Sequence, residues 1–290
     1  MTTASEWVQG ARPRTLGAAV APVLVGTSAA VADADGVLWW RFAGALVVAL
    51  ALQVGVNYAN DYSDGVRGTD RDRKGPLRLT ATGTATPAAV RNAAAVAFGV
   101  AAVVGLVLSL VVNPWLLLVG VLAIAAAVLY TGGPVPLGYI GLGEVLVLVF
   151  FGFVATVGSA YVQVERMPGA AWWGSLVVGL LACAILLANN LRDIPTDTVA
   201  GKRTLAVRVG APATRGLFVA CYVGSFVSVV AIGVTQPWAL LGLLALPLTV
   251  APLRVMRAPA DPPALVRTLV VTSRLELVVA VLVSVGLCLS

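Results

Sequence analysis

A chain of 290 residues that is 59% hydrophobic and only 11% charged is not an ordinary soluble domain, in which about a quarter of the residues carry charge. The absence of histidine excludes His general bases, His-ligated zinc or haem and Ser-His-Asp triads. A net charge of +6 does not indicate a nucleic-acid partner here, because in so apolar a chain the position of each cation carries the information and the expected surrounding is a lipid bilayer.

Windows of roughly 19 residues mark apolar segments near 15–32, 39–58, 93–112, 115–130, 142–162, 174–190, 216–234, 238–253 and 268–289. The reading is an all-α, polytopic membrane protein, a single membrane-embedded domain over residues 1–290 built as a bundle of nine transmembrane helices with a cytosolic N-terminus. The first segment follows Arg12 and Arg14 as a secretory signal would, but its 18 residues exceed the usual apolar region of about 7–15, so it reads as a retained helix. With this topology sixteen of the nineteen Lys and Arg residues face the cytosol, which is the expected positive-inside bias. Trp39, Trp40, Trp115, Trp172, Trp173 and Trp238 begin spans and read as interface anchors. Cys183, Cys221 and Cys288 read as core fillers. Arg274 and Glu276, near the inner end of the last span, read as a structural pair or a snorkelled arginine.

The outer connections are short, while two inner segments, 57–87 and 189–213, are long and polar, so function is expected on the cytosolic face. Six of the thirteen acidic residues sit there: Asp61, Asp64, Asp70, Asp72, Asp193 and Asp197. Asn60 and Asp64, ending the second span, recur 129 residues later as Asn189 and Asp193, ending the sixth. That offset of four spans predicts two pseudo-repeated four-helix halves. Residues four apart share a helix face, so each pair presents an amide oxygen beside a carboxylate. All-oxygen ligands of this kind suit Mg²⁺ with a diphosphate. Asn60, Asp64, Asp70, Asn189, Asp193 and Asp197 are the candidate metal ligands, with Arg71, Arg73, Lys74, Arg78, Lys202 and Arg203 as candidate diphosphate contacts. Pro195 is expected to end or kink its helix near Ile194 and carry Asp197 off the shared face.

Asn60-Asp-Tyr-Ser-Asp64 with Asp70, and Asn189-Asn-Leu-Arg-Asp193 with Asp197, resemble the two aspartate-rich motifs of the intramembrane aromatic prenyltransferases, the UbiA superfamily. The resemblance covers essentially the whole chain. Lys74-Gly-Pro-Leu-Arg78, Gly201-Lys-Arg-Thr-Leu-Ala-Val-Arg208, Tyr130-Thr-Gly-Gly-Pro134, Tyr139-Ile-Gly-Leu-Gly-Glu144 and Arg12-Pro-Arg-Thr15 are similar to the menaquinone-pathway branch. That resemblance implies a polyprenyl diphosphate donor, a 1,4-dihydroxy-2-naphthoate acceptor that loses CO₂, and Mg²⁺. In the general superfamily spacing an aspartate stands eight residues after the Asn, where this chain has Gly68, so Asp70 reaches from a loop two residues longer. Asp64 and Asp193 are the expected catalytic carboxylates. Tyr130 and Tyr139 are placed to stabilise an allylic cation through their ring faces. Glu144 either accepts a phenolic proton or pairs with a neighbouring cation. Lys202 and Arg203 serve either the diphosphate or the acceptor carboxylate. A 4-hydroxybenzoate acceptor is the alternative within the superfamily. A secondary transporter is the alternative outside it, and would place its acids near the membrane midplane rather than at the helix ends.

Overall fold

Away from water, backbone N–H and C=O groups must be paired within the chain, and a helix does this segment by segment. The structure, a computed structural model, describes residues 2–34, 36–68 and 77–290, and every regular element among them is helical. Helix α1 (Ala4–Gly10) and a 3-10 turn lead through a 51° bend into α2 (Gly17–Val31). Then follow α3 (Trp39–Arg67), α4 (Pro87–Val111), α5 (Trp115–Thr131), α6 (Gly143–Val164) and α7 (Gly169–Val199). The chain closes with α8 (Leu205–Gly233), α9 (Pro237–Val255) and α10 (Pro262–Leu289). Seven of these helices are long and apolar enough to cross a bilayer, the bent α1–α2 unit makes an eighth, and α5 is a shorter apolar helix. The chain is thus a multi-pass membrane protein, and each apolar segment of the sequence falls on one of these helices.

Length is adjusted locally. Most of α9, Pro237–Thr249, is 3-10 helix, which rises ~2.0 Å per residue rather than ~1.5 Å, so its 19 residues reach about 35 Å. In α6 a π-helical stretch, Leu148–Val154, interrupts the α-helix and turns both Phe150 and Phe151 to the central cavity.

The apolar stretch of α7 is 61% buried and that of α4 only 22%, so α7 is the central column and α4 faces lipid. Around α7 pack α2, α6, α8 and α10. Helix α2 crosses α6 at Gly26, where a Cβ would fall 2.1 Å from the Thr156 carbonyl oxygen. With Ala21, Val25, Ala29 and Ala30 almost fully buried, α2 is part of the core. Helices α6 and α7 meet backbone to backbone: a Cβ on Gly179 would lie 2.7 Å from the Gly152 Cα, the close approach that small residues permit in membranes. Gly179→Leu should therefore lower stability by about 1–3 kcal/mol, read as a fall in the thermal unfolding midpoint in detergent. The two motif-bearing helices share a neighbour relation, since each packs most extensively on the helix that follows it, α3 on α4 and α7 on α8.

Two expectations are corrected. Pro195 neither ends nor breaks α7, which continues to Val199. The proline lies in the last two turns, where it removes a single backbone bond. The hydroxyls of Thr196 and Thr198 donate to the carbonyls of Asp193 (3.0 Å) and Ile194 (2.7 Å), and the Lys202 N–H closes on the Asp197 carbonyl at 2.8 Å. Of the two readings of Arg274 and Glu276, the pair is the one corrected: Arg274 is exposed, which agrees with the snorkelled reading, whereas Glu276 is 0% exposed and neither carboxyl oxygen has a hydrogen-bond partner among the described residues. Two positions apart on a helix, they point to different sides. Because a buried unsatisfied polar group costs about 1–3 kcal/mol, Glu276→Met should raise the unfolding midpoint while leaving turnover near wild type. An unchanged or lower midpoint would mean that Glu276 is satisfied in the folded protein.

Candidate active site

The motif-bearing ends of α3 and α7 open into one cavity of about 440 Å³. Its mouth is polar and its shaft apolar, walled by Leu52 of α3, Leu108 of α4, Val119 of α5 and Phe150 and Phe151 of α6. Along α3 the wall runs from Asp64 back to Ala45, a helical rise of about 28 Å, close to the hydrocarbon thickness of a bilayer.

Asp64 is the hub of the mouth. Tyr139 donates its hydroxyl to Asp64 Oδ1 at 2.5 Å, Lys202 Nζ donates to the same oxygen at 3.0 Å, and Arg78 Nη2 lies 3.7 Å from Oδ2. These partners come from three loops, each fixed by local chemistry. Tyr139 sits in a 3-10 turn, Leu137–Ile140, closed by Gly141 at φ +83°, where a side chain would be strained. The Arg203 N–H donates to the Tyr139 carbonyl at 2.8 Å, tying the α5–α6 and α7–α8 connections together and setting Lys202 Nζ 4.5 Å from the Tyr139 ring centroid. Arg78 is placed by Asp61, whose buried carboxylate accepts the N–H groups of Leu79 (2.7 Å) and Thr80 (2.9 Å). Arg67, its guanidinium carbon 5.4 Å from the Tyr139 ring centroid, donates to the carbonyls of Thr131 and Gly133, each at 2.7 Å.

Burial works against the charge on Lys202, but the Asp64 carboxylate and Tyr139 more than offset it, so the ammonium titrates above the usual lysine range. Burial and Asp64 likewise raise the Tyr139 phenol, which keeps it a donor at neutral pH.

On α7, Asn189, Asp193 and Asp197 share the wall of the cavity, as their spacing of four requires once the helix is continuous. Arg192 donates to Asp193 Oδ1 and Oδ2 at 2.6 and 2.7 Å and to Asn189 Oδ1 at 2.8 Å. Tyr130 is also on the wall, its ring lying against Gly138 and Gly143, where a Cβ would come 3.2 Å from Cζ and 3.3 Å from Oη respectively.

The structure therefore brings together Asn60, Asp64, Arg78, Tyr130, Tyr139, Asn189, Asp193, Asp197 and Lys202 around one cavity. Glu144 and Arg203 are not on its wall. Glu144 accepts from Asn190 Nδ2 at 2.9 Å and so holds a residue that is. The Arg203 side chain is exposed and contributes through its backbone. Asp70, Arg71, Arg73 and Lys74 lie outside the described residues. Three contributors escaped the sequence reading: Asp61, Arg192 and Asn190, each next to a motif residue, and adjacency was the available signal. Arg12, read as a topology charge and as part of the Arg12-Pro-Arg-Thr15 stretch but not as a site residue, also lies on the cavity wall.

The donor set fits a hard cation. The buried Asn60 amide oxygen accepts no hydrogen bond among the described residues, and it stands on the wall with Asp64. No group of three or more His, Cys, Asp or Glu side chains is arranged for a metal among the described residues. The oxygens offered are thus a few carboxylates and amides, a set that suits Mg²⁺ completed by phosphate oxygens and water.

The family model described as the UbiA prenyltransferase family matches residues 19–272. A 1,4-dihydroxy-2-naphthoate octaprenyltransferase of Mycobacterium tuberculosis is 50% identical over 248 residues, spanning 86% of this chain and 85% of that protein. A UbiA homolog from Aeropyrum pernix, solved in its apo form, has the same fold with a TM-score of 0.71 at 14% identity, over 94% of this chain and 97% of that one. A UbiA homolog from Archaeoglobus fulgidus bound to DMAPP and Mg²⁺ matches with a TM-score of 0.64 at 15% identity, over 97% of this chain and 99% of that one.

Proposed function

This chain belongs to the UbiA prenyltransferase family, and we propose that it transfers a polyprenyl group from polyprenyl diphosphate to 1,4-dihydroxy-2-naphthoate, releasing CO₂ and pyrophosphate. The product is demethylmenaquinol, which oxidises to demethylmenaquinone. The observation that carries the proposal is the single cavity in which Asp64, with its cationic partners, and the Asn189–Asp193–Asp197 face stand at the mouth of a long apolar shaft. The likeness to naphthoate prenyltransferases supports this acceptor.

The residues divide the work. The apolar shaft receives the isoprenoid chain from the bilayer and keeps water from the reacting carbon. Arg78 and Lys202 meet the diphosphate, which leaves with the electron pair of the C1–O bond. Tyr130 and Tyr139 present aromatic faces to the allylic cation at C1. The acceptor ring forms the new C–C bond at the carbon that bears the carboxylate, and the electron pair of the breaking C–CO₂ bond restores aromaticity as CO₂ leaves. No base is required at the ring carbon, in keeping with the position of Glu144 off the wall. Asn60, Asp64, Asn189, Asp193 and Asp197, with Asp70, would hold Mg²⁺. When bound, magnesium supplies Lewis-acid neutralisation of the leaving pyrophosphate. The charge pattern of the connections supports a mouth on the cytosolic side, and the likeness to a bacterial relative supports a bacterial inner membrane.

The test is incubation of the protein in nanodiscs with a polyprenyl diphosphate, Mg²⁺ and either 1,4-dihydroxy-2-naphthoate or 4-hydroxybenzoate, with product read by mass spectrometry. A prenylated naphthoquinol that disappears with EDTA is expected. Product from 4-hydroxybenzoate alone would overturn the acceptor assignment, and no product from either would overturn the transfer itself.

A further inference from the structure

The two carboxylate clusters are held in different ways. Asp64 is approached by Tyr139, Lys202 and Arg78 from three separate loops, and the Asn60 amide oxygen accepts no hydrogen bond among the described residues. On α7, by contrast, one side chain engages both motif residues: Arg192 makes three hydrogen bonds that reach both oxygens of Asp193 and the amide oxygen of Asn189. Its side chain is 5% exposed, and Arg192 is absent from the cavity wall that Asn189 and Asp193 share. It approaches them from within the protein, and nothing in this arrangement requires it to touch substrate.

A planar guanidinium fixes a carboxylate in direction as well as charge, because its fork allows two parallel N–H···O bonds. Here the fork also spans to a neighbouring amide one helical turn away, so a single group sets the rotamers of two side chains at once. A side chain that orients metal-holding groups from behind commonly changes metal affinity by about 10–100-fold. We propose that Arg192 is a positioning residue of this kind. It presents Asn189 and Asp193 to the cavity as a preformed pair of oxygen donors, and through them sets the affinity of the α7 half of the site for a divalent cation.

The inference rests on reading Asn189 and Asp193 as metal-holding residues, so the experiment separates the two claims. Mn²⁺ alone is titrated into the full-length protein in nanodiscs and followed by electron paramagnetic resonance, with thermal unfolding measured on the same samples. Wild type, Asp193→Ala, Arg192→Gln and Arg192→Lys are compared. Arg192→Gln is expected to weaken Mn²⁺ binding about 10–100-fold without a matching loss of thermal stability. Arg192→Lys, which keeps the charge and the stem but lacks the fork, is expected to lie nearer to the Gln variant than to wild type. If the Gln variant does not fold, the Lys variant decides alone, since wild-type affinity there would overturn the proposal. Unchanged or tighter binding in Arg192→Gln would also overturn it, tighter binding marking Arg192 as a competitor of the metal. Unchanged binding in Asp193→Ala would instead overturn the metal reading itself.

Discussion

Asp64→Asn should lower prenyl transfer by about 10³-fold, the loss seen when a group that organises transition-state charge is removed. Three groups converge on this carboxylate, and the substitution keeps its shape while removing its charge. Lys202 and Arg78 are both buried, so they lose an anion they share and the geometry in which they meet the diphosphate. The buried cations left behind also cost stability, as removing one partner of a buried pair does, by about 3–5 kcal/mol. Turnover must therefore be measured well below the unfolding midpoint of the variant. Activity within tenfold of wild type at such a temperature would remove Asp64 from the centre of the mechanism.

Lys202→Met should cost about 10²-fold in kcat/KM, less than Asp64→Asn because Arg78 and Tyr139 remain on the carboxylate. Its pH behaviour follows from the raised titration of the ammonium. A lysine whose folded value lies above its unfolded one contributes fully below the unfolded value, about 10.4. That contribution is lost only as pH climbs through the still higher folded value. Between pH 7 and 10 Lys202 should thus impose no alkaline limb on kcat/KM, and Lys202→Met should lower the whole profile without reshaping it. A limb in this range that vanishes in Lys202→Met would contradict the assignment.

Much of the site was legible because its logic is helical. Asn60 with Asp64 and Asn189 with Asp193 share a face whatever surrounds them, and all four line the cavity. Asp197 shows where local reasoning failed: Pro195 removes one backbone bond, yet α7 continues to Val199, and Asp197 stays on the wall with Asn189 and Asp193. The partners of the motif residues were harder to read, because they depend on which face of each helix turns inward. In helices apolar on every side, such as α5, no polar stripe marks that face. The pairing of Glu144 with Asn190 and the burial of Glu276 come from packing between segments distant in sequence, whereas the fork of Arg192 is local to one turn of α7 and depends on which rotamer the arginine takes. Arg203 was chosen for its charge and contributes through its amide, which no residue-type argument distinguishes.

The loop that follows the first motif is fastened by its far end. Asp61, 1% exposed, grips the backbone of Leu79 and Thr80, and the bare surface of Gly65 lets that loop lie flat on α3, since a Cβ there would sit 2.4 Å from the Thr80 side chain. Arg78 is therefore registered against α3 directly and not by the contour of the chain leading to it.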